Sequence, residues 1–383
     1  ISWESLRGGK SQRDMSFSGC LGTHASNTSY TLHSVVGNGG CARVFKASVA
    51  PPRGEGLQED GSTTTDRRSF VACKMAKRSN RMLCQSETDN IAREHMLYSL
   101  IPPHPNVARL LDSFVYKDHT YSIVEYCQCG SLHDFLIQKN HFSDAELRTM
   151  FDQILQGCGF IHSLGLVHLD IKPRNIVFAA SGVLKICDFG HTDILQKDGK
   201  RSSREFCGTP NYVSPEMISR GTRHSVGFSS DVWSLGVCMF TLLTGKPPFE
   251  TKSVSDTCAN ITKNTNIPSV LAMSPRISDE ARLLLESMLS REPSMRPSVE
   301  EIIGHGYFHK DQPRASLAFP KTCKEGAISR RRRVTTPPPP KGIISGDGAR
   351  VAGWVDYRNI FGVAWSLSDG TVGIKFNDAS CIV

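Results

Sequence analysis

The chain has 383 residues, 39% of them hydrophobic, which is enough for one large or two modest cores and excludes disorder throughout. Its formal charge is +8, a mild excess that admits nucleic acid, a membrane surface or an acidic peptide as partner. Ten Lys and Arg against three acids between 310 and 350 hold +7 of that total. The body from 31 to 309 is left nearly neutral, so nucleic acid is not expected as the main partner.

Residues 1–29 are rich in Ser, Gly, Thr and Asn without apolar periodicity and read as a flexible leader. The chain begins at Ile1 rather than Met, so its true start is expected further upstream. Strands are expected over Tyr30–Val36, Ala42–Val49 and Phe70–Met75, with 51–69 as an enlarged, almost apolar-free hairpin loop. From Asp144 helical periodicity dominates, as in LRTMFDQILQGCGFIHSLG and EARLLLESMLS. The pattern is α+β, with a small β-rich lobe before a larger helical one, together spanning 30–309. The longest apolar run, SLGVCMFTLL from Ser234, is about half a membrane span and suits a buried helix.

Residues 310–353 form a basic, Pro-rich linker (RRRRVTTPPPPK) in which the proline run is expected to be extended. Its Arg330–Arg333 run reads as a nuclear-import or docking signal, or as a merely solvated linker. Residues 354–383 alternate again around LSDGTVGIKF, a strand, a tight Asp-Gly turn and a strand. The thirteen cysteines are odd in number and scattered, with no secretory segment before them, which fits a reducing cytosol or nucleus. Cys127 and Cys129 make a lone CxC, so zinc is not expected.

The first chemical motif is VGNGGCARVF, where Gly37, Asn38, Gly39 and Gly40 form a turn between two strands. Glycines there let backbone N–H groups approach phosphate oxygens, although a bare turn would look the same. Lys74 follows on a strand, and Glu94 on an expected helix. The decisive stretch is HLDIKPRN, with Asp170, Lys172 and Asn175, then Asp188-Phe189-Gly190 eighteen residues after Asp170 and Ser214-Pro215-Glu216 beyond. Together these resemble the eukaryotic protein kinase signature of catalytic loop and DFG.

That resemblance implies a bilobal fold binding ATP and Mg2+, and an enzyme that moves a γ-phosphate by positioning and charge neutralisation. It implies that Lys74, oriented by Glu94, holds the α/β-phosphates; that Asn175 and Asp188 hold magnesium; that Asp170 accepts the hydroxyl proton; and that Lys172 neutralises the moving phosphate. Lys172 also matches the serine/threonine rather than the tyrosine pattern. Val44, Ala72 and Val177 would wall the adenine, with Glu125 and Cys127 as the hinge after a gatekeeper Val124. Glu216 with Arg296 resembles a buried lobe anchor, and Asp231 an acid supporting the catalytic-loop backbone.

GNGGCA with Ala42 at the third glycine, CGTPNYVSPE and TLLTGKPPFET resemble the polo-like kinases. WVDYRNIFGVAWSLSDGTVGIKFNDASCIV resembles the opening strands of a first polo box, too short to complete one, so phosphopeptide docking is expected only of a longer protein. The family implies protein substrates in acidic contexts, cell-cycle control, residence in cytoplasm and nucleus with centrosome, spindle-pole or kinetochore association, and no membrane. The alternative is a catalytically weak pseudokinase or scaffold, against which Lys74, Asp170, Asn175 and Asp188 argue. Three departures stand out. Leu169 replaces the family Arg before the catalytic Asp, and Glu205 stands at the activating Thr position, so gating by phosphate there is expected to be weak, with Ser202 or Ser203 as neighbouring sites. Cys187 replaces the usual Gly before DFG; by default it reads as a small buried hydrophobe, the alternative being a modifiable thiol whose pKa Lys74 lowers.

Overall fold

The structure is a computed structural model that describes residues 15–18, 29–38, 42–50, 70–77, 94, 96–116, 119–179, 182–195, 208–219, 226–263, 267, 271, 274, 277–309, 311, 314–315, 351–357, 362–367, 372–376 and 381–382. The loop 51–69 and residues 196–207, with Ser202, Ser203 and Glu205, lie outside them, as do Gly39, Gly40 and the Arg330–Arg333 run.

Six antiparallel strands form one sheet: β1 (Met15–Ser18), β2 (Ser29–Asn38), β3 (Ala42–Ala50), β4 (Phe70–Lys77), β5 (Leu110–Tyr116) and β6 (His119–Glu125), in the order β1-β2-β3-β4-β6-β5. Alternation along β3 and β4 buries Phe45, Ala47, Val71, Cys73 and Met75 in a small core with Phe114 and Ile123. The same alternation turns Val44, Ala72 and Lys74 to the opposite, half-buried face. β2 runs beyond Val36 because backbone pairing continues through Gly37↔Val44 and Asn38↔Arg43 after the apolar pattern has ended. β1 falls inside the stretch read as a flexible leader: MSFS alternates with strand period and covers the otherwise open edge of β2, from Met15↔Leu32 to Ser18↔Ser29.

The helical body is built on α1 (Leu132–Lys139), α2 (Asp144–Ser163), α3 (Pro215–Ile218), α4 (Phe228–Thr244), α5 (Val254–Lys263), α6 (Asp279–Met288) and α7 (Val299–Ile303). Ser131, Ser143 and Ser298 open α1, α2 and α7 with reciprocal capping boxes to Asp134, Glu146 and Glu301. α4 is buried on nearly all sides, as its unbroken apolar run requires. A Cβ at Gly236 would sit 2.9 Å from Leu289 Cδ2, so glycine there sets how closely α4 and α6 approach. No helix among the described residues is long and apolar enough to cross a membrane.

Beneath α4, Arg296 donates from Nη1 and Nη2 to the two Glu216 oxygens at 2.8 Å each, and Ser230 Oγ donates to Glu216 Oε1 at 2.7 Å. The guanidinium also lies 5.1 Å from the Trp233 ring centroid. Packing of this body continues past His309. Arg314 Nε donates to Asp152 Oδ2 at 2.7 Å, and Ala315 both donates to Ala145 O and accepts from Thr149 Oγ1, so Arg314 and Ala315 of the basic stretch lie along α2.

A separate four-stranded antiparallel meander closes the chain: β11 (Val351–Tyr357), β12 (Gly362–Leu367), β13 (Val372–Phe376) and β14 (Cys381–Ile382). β12 and β13 pair from Gly362↔Phe376 to Ser366↔Val372, on either side of the segment that holds the expected Asp-Gly turn, itself outside the described residues.

Candidate active site

Two short ladders carry the site between sheet and body: β7 (Leu166–Val167) with β10 (Asp193–Ile194), and β8 (Ile176–Phe178) with β9 (Leu184–Ile186). The catalytic-loop residues 168–175 hang between β7 and β8. Their backbone is pinned from below by Asp231 of α4, whose oxygens accept from His168 N and Leu169 N at 2.8 Å each. Asp231 Oδ2 also lies 2.9 Å from His162 Nε2. Burial works against this carboxylate, but the His162 bond and the backbone N–H groups hold its pKa below the usual aspartate value. Cys158, His162 and Asp231 bring their ligand atoms within 4.8 Å of one another. The aspartate oxygens are already spent on the loop, however, and burial keeps the Cys158 thiol protonated.

Above this anchor Asp170 is the hub. Its Oδ1 accepts from Thr209 Oγ1 at 2.8 Å; its Oδ2 accepts from Lys172 Nζ at 2.6 Å and from Asn175 Nδ2 at 2.8 Å. Lys172 Nζ also donates to Thr209 Oγ1 at 2.6 Å, closing a three-membered ring of charge-assisted bonds. His168 Nε2 lies 3.3 Å from Cys187 O, which can only accept, so the ring carries its proton there and Nδ1 accepts from Asp170 N. Burial pushes the His168 pKa down and keeps the ring neutral.

Cys187 N donates to Asn175 O at 2.9 Å, which seats Asp188 beside the catalytic loop. Asp188 adopts φ +67, and its carboxylate meets Lys74. Lys74 Nζ donates to Asp188 Oδ1 at 2.8 Å and to Glu94 Oε1 at 2.6 Å, so β4, the helical residue Glu94 and the 188–190 turn converge on one ammonium. Burial alone would lower the Lys74 pKa and raise that of Asp188. Their mutual attraction, with Glu94, wins on both sides: the lysine is raised and the aspartate held well below its usual value. Both groups are therefore charged at neutral pH. A Cβ at Gly190 would touch Asp188 Oδ1, Glu94 Oε2 and Lys74 Nζ at 3.4 to 3.5 Å, so a longer side chain would crowd this cluster.

The residues expected around adenine sit on the half-buried faces of their strands: Val44 and Ala72 on the sheet, and Val177, bridged to Ser131, on the body. Glu125 N donates to Arg109 O at 2.9 Å, and its carboxylate lies 3.2 Å from Lys185. Gly37 and Asn38 end β2, where a Cβ on Gly37 would meet Val44 Cβ at 3.5 Å. Cys127 is half-buried, its thiol pushed up to about 12 by burial. For Cys187 the default reading fits, and the lowered-pKa alternative does not. Burial, with Asp188 beside it, raises that thiol far above the ordinary cysteine value, and the opposing influence of Lys74 is too small to matter. Lys74 spends its charge on two nearer carboxylates, so Cys187 is a protonated, poorly nucleophilic group.

A family model described as "Protein kinase domain" matches residues 54–308. The chain belongs to the protein kinase family. Among curated relatives, serine/threonine-protein kinase PLK4 of Aedes aegypti is 32% identical over 286 residues, covering 73% of this chain and 33% of the relative. Cell cycle serine/threonine-protein kinase CDC5/MSD2 of Saccharomyces cerevisiae is 35% identical over 211 residues, 55% of this chain and 29% of the relative. A probable serine/threonine-protein kinase of Zea mays, CCRP1, is 30% identical over 307 residues, 78% and 45% respectively. The PLK4 and CDC5 relatives support the polo-like serine/threonine assignment, and the chain spans between 29% and 45% of the length of these relatives. Membership of the kinase family carries with it the use of ATP and a divalent metal. Asp188, ionised, 44% exposed and adjacent to Asn175, offers the hard oxygen donors such an ion takes.

Two parts of this kinase site escaped the sequence reading. Thr209 is far along the chain from Asp170 and enters only because residues 208–212 fold back over the catalytic loop. Tyr98 stacks on Phe189 at 4.5 Å between ring centroids, and Phe189 lies 5.1 Å from His168, forming a buried column from the helical residues 96–99 to the Asp231 anchor. Aromatic residues in apolar runs carry no mark that separates such a column from ordinary core.

Proposed function

We propose that this chain is the catalytic part of a polo-like serine/threonine kinase that transfers the γ-phosphate of Mg-ATP to hydroxyls of protein substrates in cell-cycle control. The observation that carries this reading is the closed ring of Asp170, Lys172 and Thr209, joined through the Cys187–Asn175 bond to the Lys74–Glu94–Asp188 cluster. Asp170, fixed by donors on both oxygens, orients the attacking hydroxyl and takes up its proton. Lys172 stands beside it to meet the charge of the passing phosphoryl group, while Lys74, kept cationic by its two carboxylates, binds the phosphates that stay behind. Asn175 and Asp188 are the residues that would hold Mg2+, which neutralises phosphate charge when bound. Val44, Ala72 and Val177 enclose the base, with the backbone of Glu125 and Cys127 along its edge.

Substrates in acidic contexts are part of the same reading, supported by the polo-like resemblance. β11 to β14 are read as the start of a polo box, supported by the WVDY sequence and by their antiparallel meander. Nuclear and cytoplasmic residence with spindle-pole or centrosome association follows from the polo-like resemblance and the Arg330–Arg333 run. The test is ATP-dependent phosphorylation of casein by the chain and its Asp188→Ala variant: signal from the first alone is expected, and equal signal from both would overturn the reading.

A further inference from the structure

Leu169 stands where the polo-like resemblance has an Arg, and its surroundings are apolar. It is 3% exposed and forms a cluster of its own, separate from the main core, with Val167 and Val226; Leu195 and Met217 pack against it. These residues come from four different pieces of chain. Leu195 follows β10 at the start of the 196–207 stretch, where its N–H donates to Gly165 O at 3.0 Å. Met217 lies on α3, beyond that stretch, and Val226 just precedes α4.

The backbone of residue 169 is gripped as well. Leu169 adopts φ +64, a left-handed conformation costly for a leucine and held here by the Asp231 bond to its N–H. On the other side Gly208, at φ +101, packs so tightly that a Cβ would lie 2.8 Å from Leu169 O. Gly208 immediately precedes Thr209, which holds Asp170 Oδ1. Leu169 and the small cluster it belongs to therefore meet both ends of the activation segment, the cluster through Leu195 and Met217 and the Leu169 carbonyl through Gly208.

We propose that Leu169 is a positioning residue: its apolar clasp holds both ends of the activation segment against the catalytic loop, and so sets Thr209 on Asp170 without any phosphate on that segment. A leucine offers no donor to a phosphate, and the clasp gains its strength from buried apolar area, which needs no modification to form. This rests on the reading of Asp170 as the catalytic base. Val226 and Met217 extend the contact to α3, so the clasp also ties the segment to the helix whose Glu216 binds Arg296.

The test uses the full chain, treated with a protein phosphatase until intact mass shows no phosphate. Turnover of casein by this material is expected to stay within about twofold of the untreated enzyme. Leu169→Ala is expected to lower kcat about tenfold or more with KM for ATP unchanged, since the ATP contacts are untouched, and Leu169→Met to restore it. Hydrogen exchange at the amides of 193–195 is expected to accelerate in Leu169→Ala and equally in Leu195→Ala, with α4 unchanged. Loss of turnover on dephosphorylation, or unchanged exchange at 193–195 in both variants, overturns the proposal. If the chain shows no turnover beyond that of Asp188→Ala, the kinase reading fails, and the exchange measurement still decides whether the clasp exists.

Discussion

Two clusters of opposite charge hold this kinase domain together, and they are built in opposite ways. Arg296 and Glu216 are 0% and 4% exposed, and each is satisfied by further partners: Ser230 on the carboxylate, and the Ser290 and Ser229 carbonyls on the guanidinium. Lys74, Glu94 and Asp188 are 22%, 14% and 44% exposed and share a single ammonium between two carboxylates. The first cluster has no capacity left for a ligand; the second keeps oxygen lone pairs toward the cleft. Complete satisfaction suits an anchor, and incomplete satisfaction suits a site that completes its bonding with substrate and metal.

The contrast is broken most directly by deleting one member of each cluster. Asp188→Ala is expected to reduce phosphotransfer by about a thousandfold or more while leaving the melting temperature close to that of the parent; a variant that loses stability instead would make the open cluster a second anchor. Arg296→Ala should do the reverse, destabilising the fold by about 3 to 5 kcal/mol because it strands a buried carboxylate. Chemical denaturation reads that loss, and a near-neutral result would mean that Glu216 finds water.

A pH series sharpens the same comparison. Arg296 holds the Glu216 carboxyl below its ordinary value of 4.5 despite burial, so the folded state favours the ionised form. The resulting stability is fully present above 4.5 and is lost as pH falls through the lower folded value. Arg296→Gln should flatten this acid limb, as seen in unfolding midpoints between pH 5 and about 2; an unchanged slope would assign acid sensitivity elsewhere. The smallest expected effect is Ser143→Ala, which removes the reciprocal cap of α2 and should cost about 1 kcal/mol. Phosphotransfer should not respond, because the cap lies at the far end of α2 from the catalytic loop.

Much of the site was legible because phosphoryl transfer fixes its groups on short local spacings: Asp170, Lys172 and Asn175 lie within one loop, and Asp188 ends the hairpin that follows. The strands were legible from alternation. What escaped depends on tertiary return of the chain. Thr209 reaches Asp170 only because residues 208–212 lie against the catalytic loop, β1 is defined by a neighbour's open edge, and Arg314 reveals its place only against Asp152. The reactive-thiol alternative for Cys187 fails because it counted a nearby cation without the two carboxylates that claim it.

The Tyr98–Phe189–His168 column has a kinetic consequence for small molecules. Phe189 is fully buried, so swinging its ring out exposes apolar surface worth about 2 to 3 kcal/mol before any new contact forms. A compound that requires the vacated space meets a conformer populated at roughly one part in thirty to one in a hundred and fifty, and its apparent affinity falls by that factor. Its onset is set by the opening of the column as well as by diffusion. Compounds that accept the ring where it stands face neither penalty, so slow and fast inhibitors of this enzyme should sort by whether they displace Phe189.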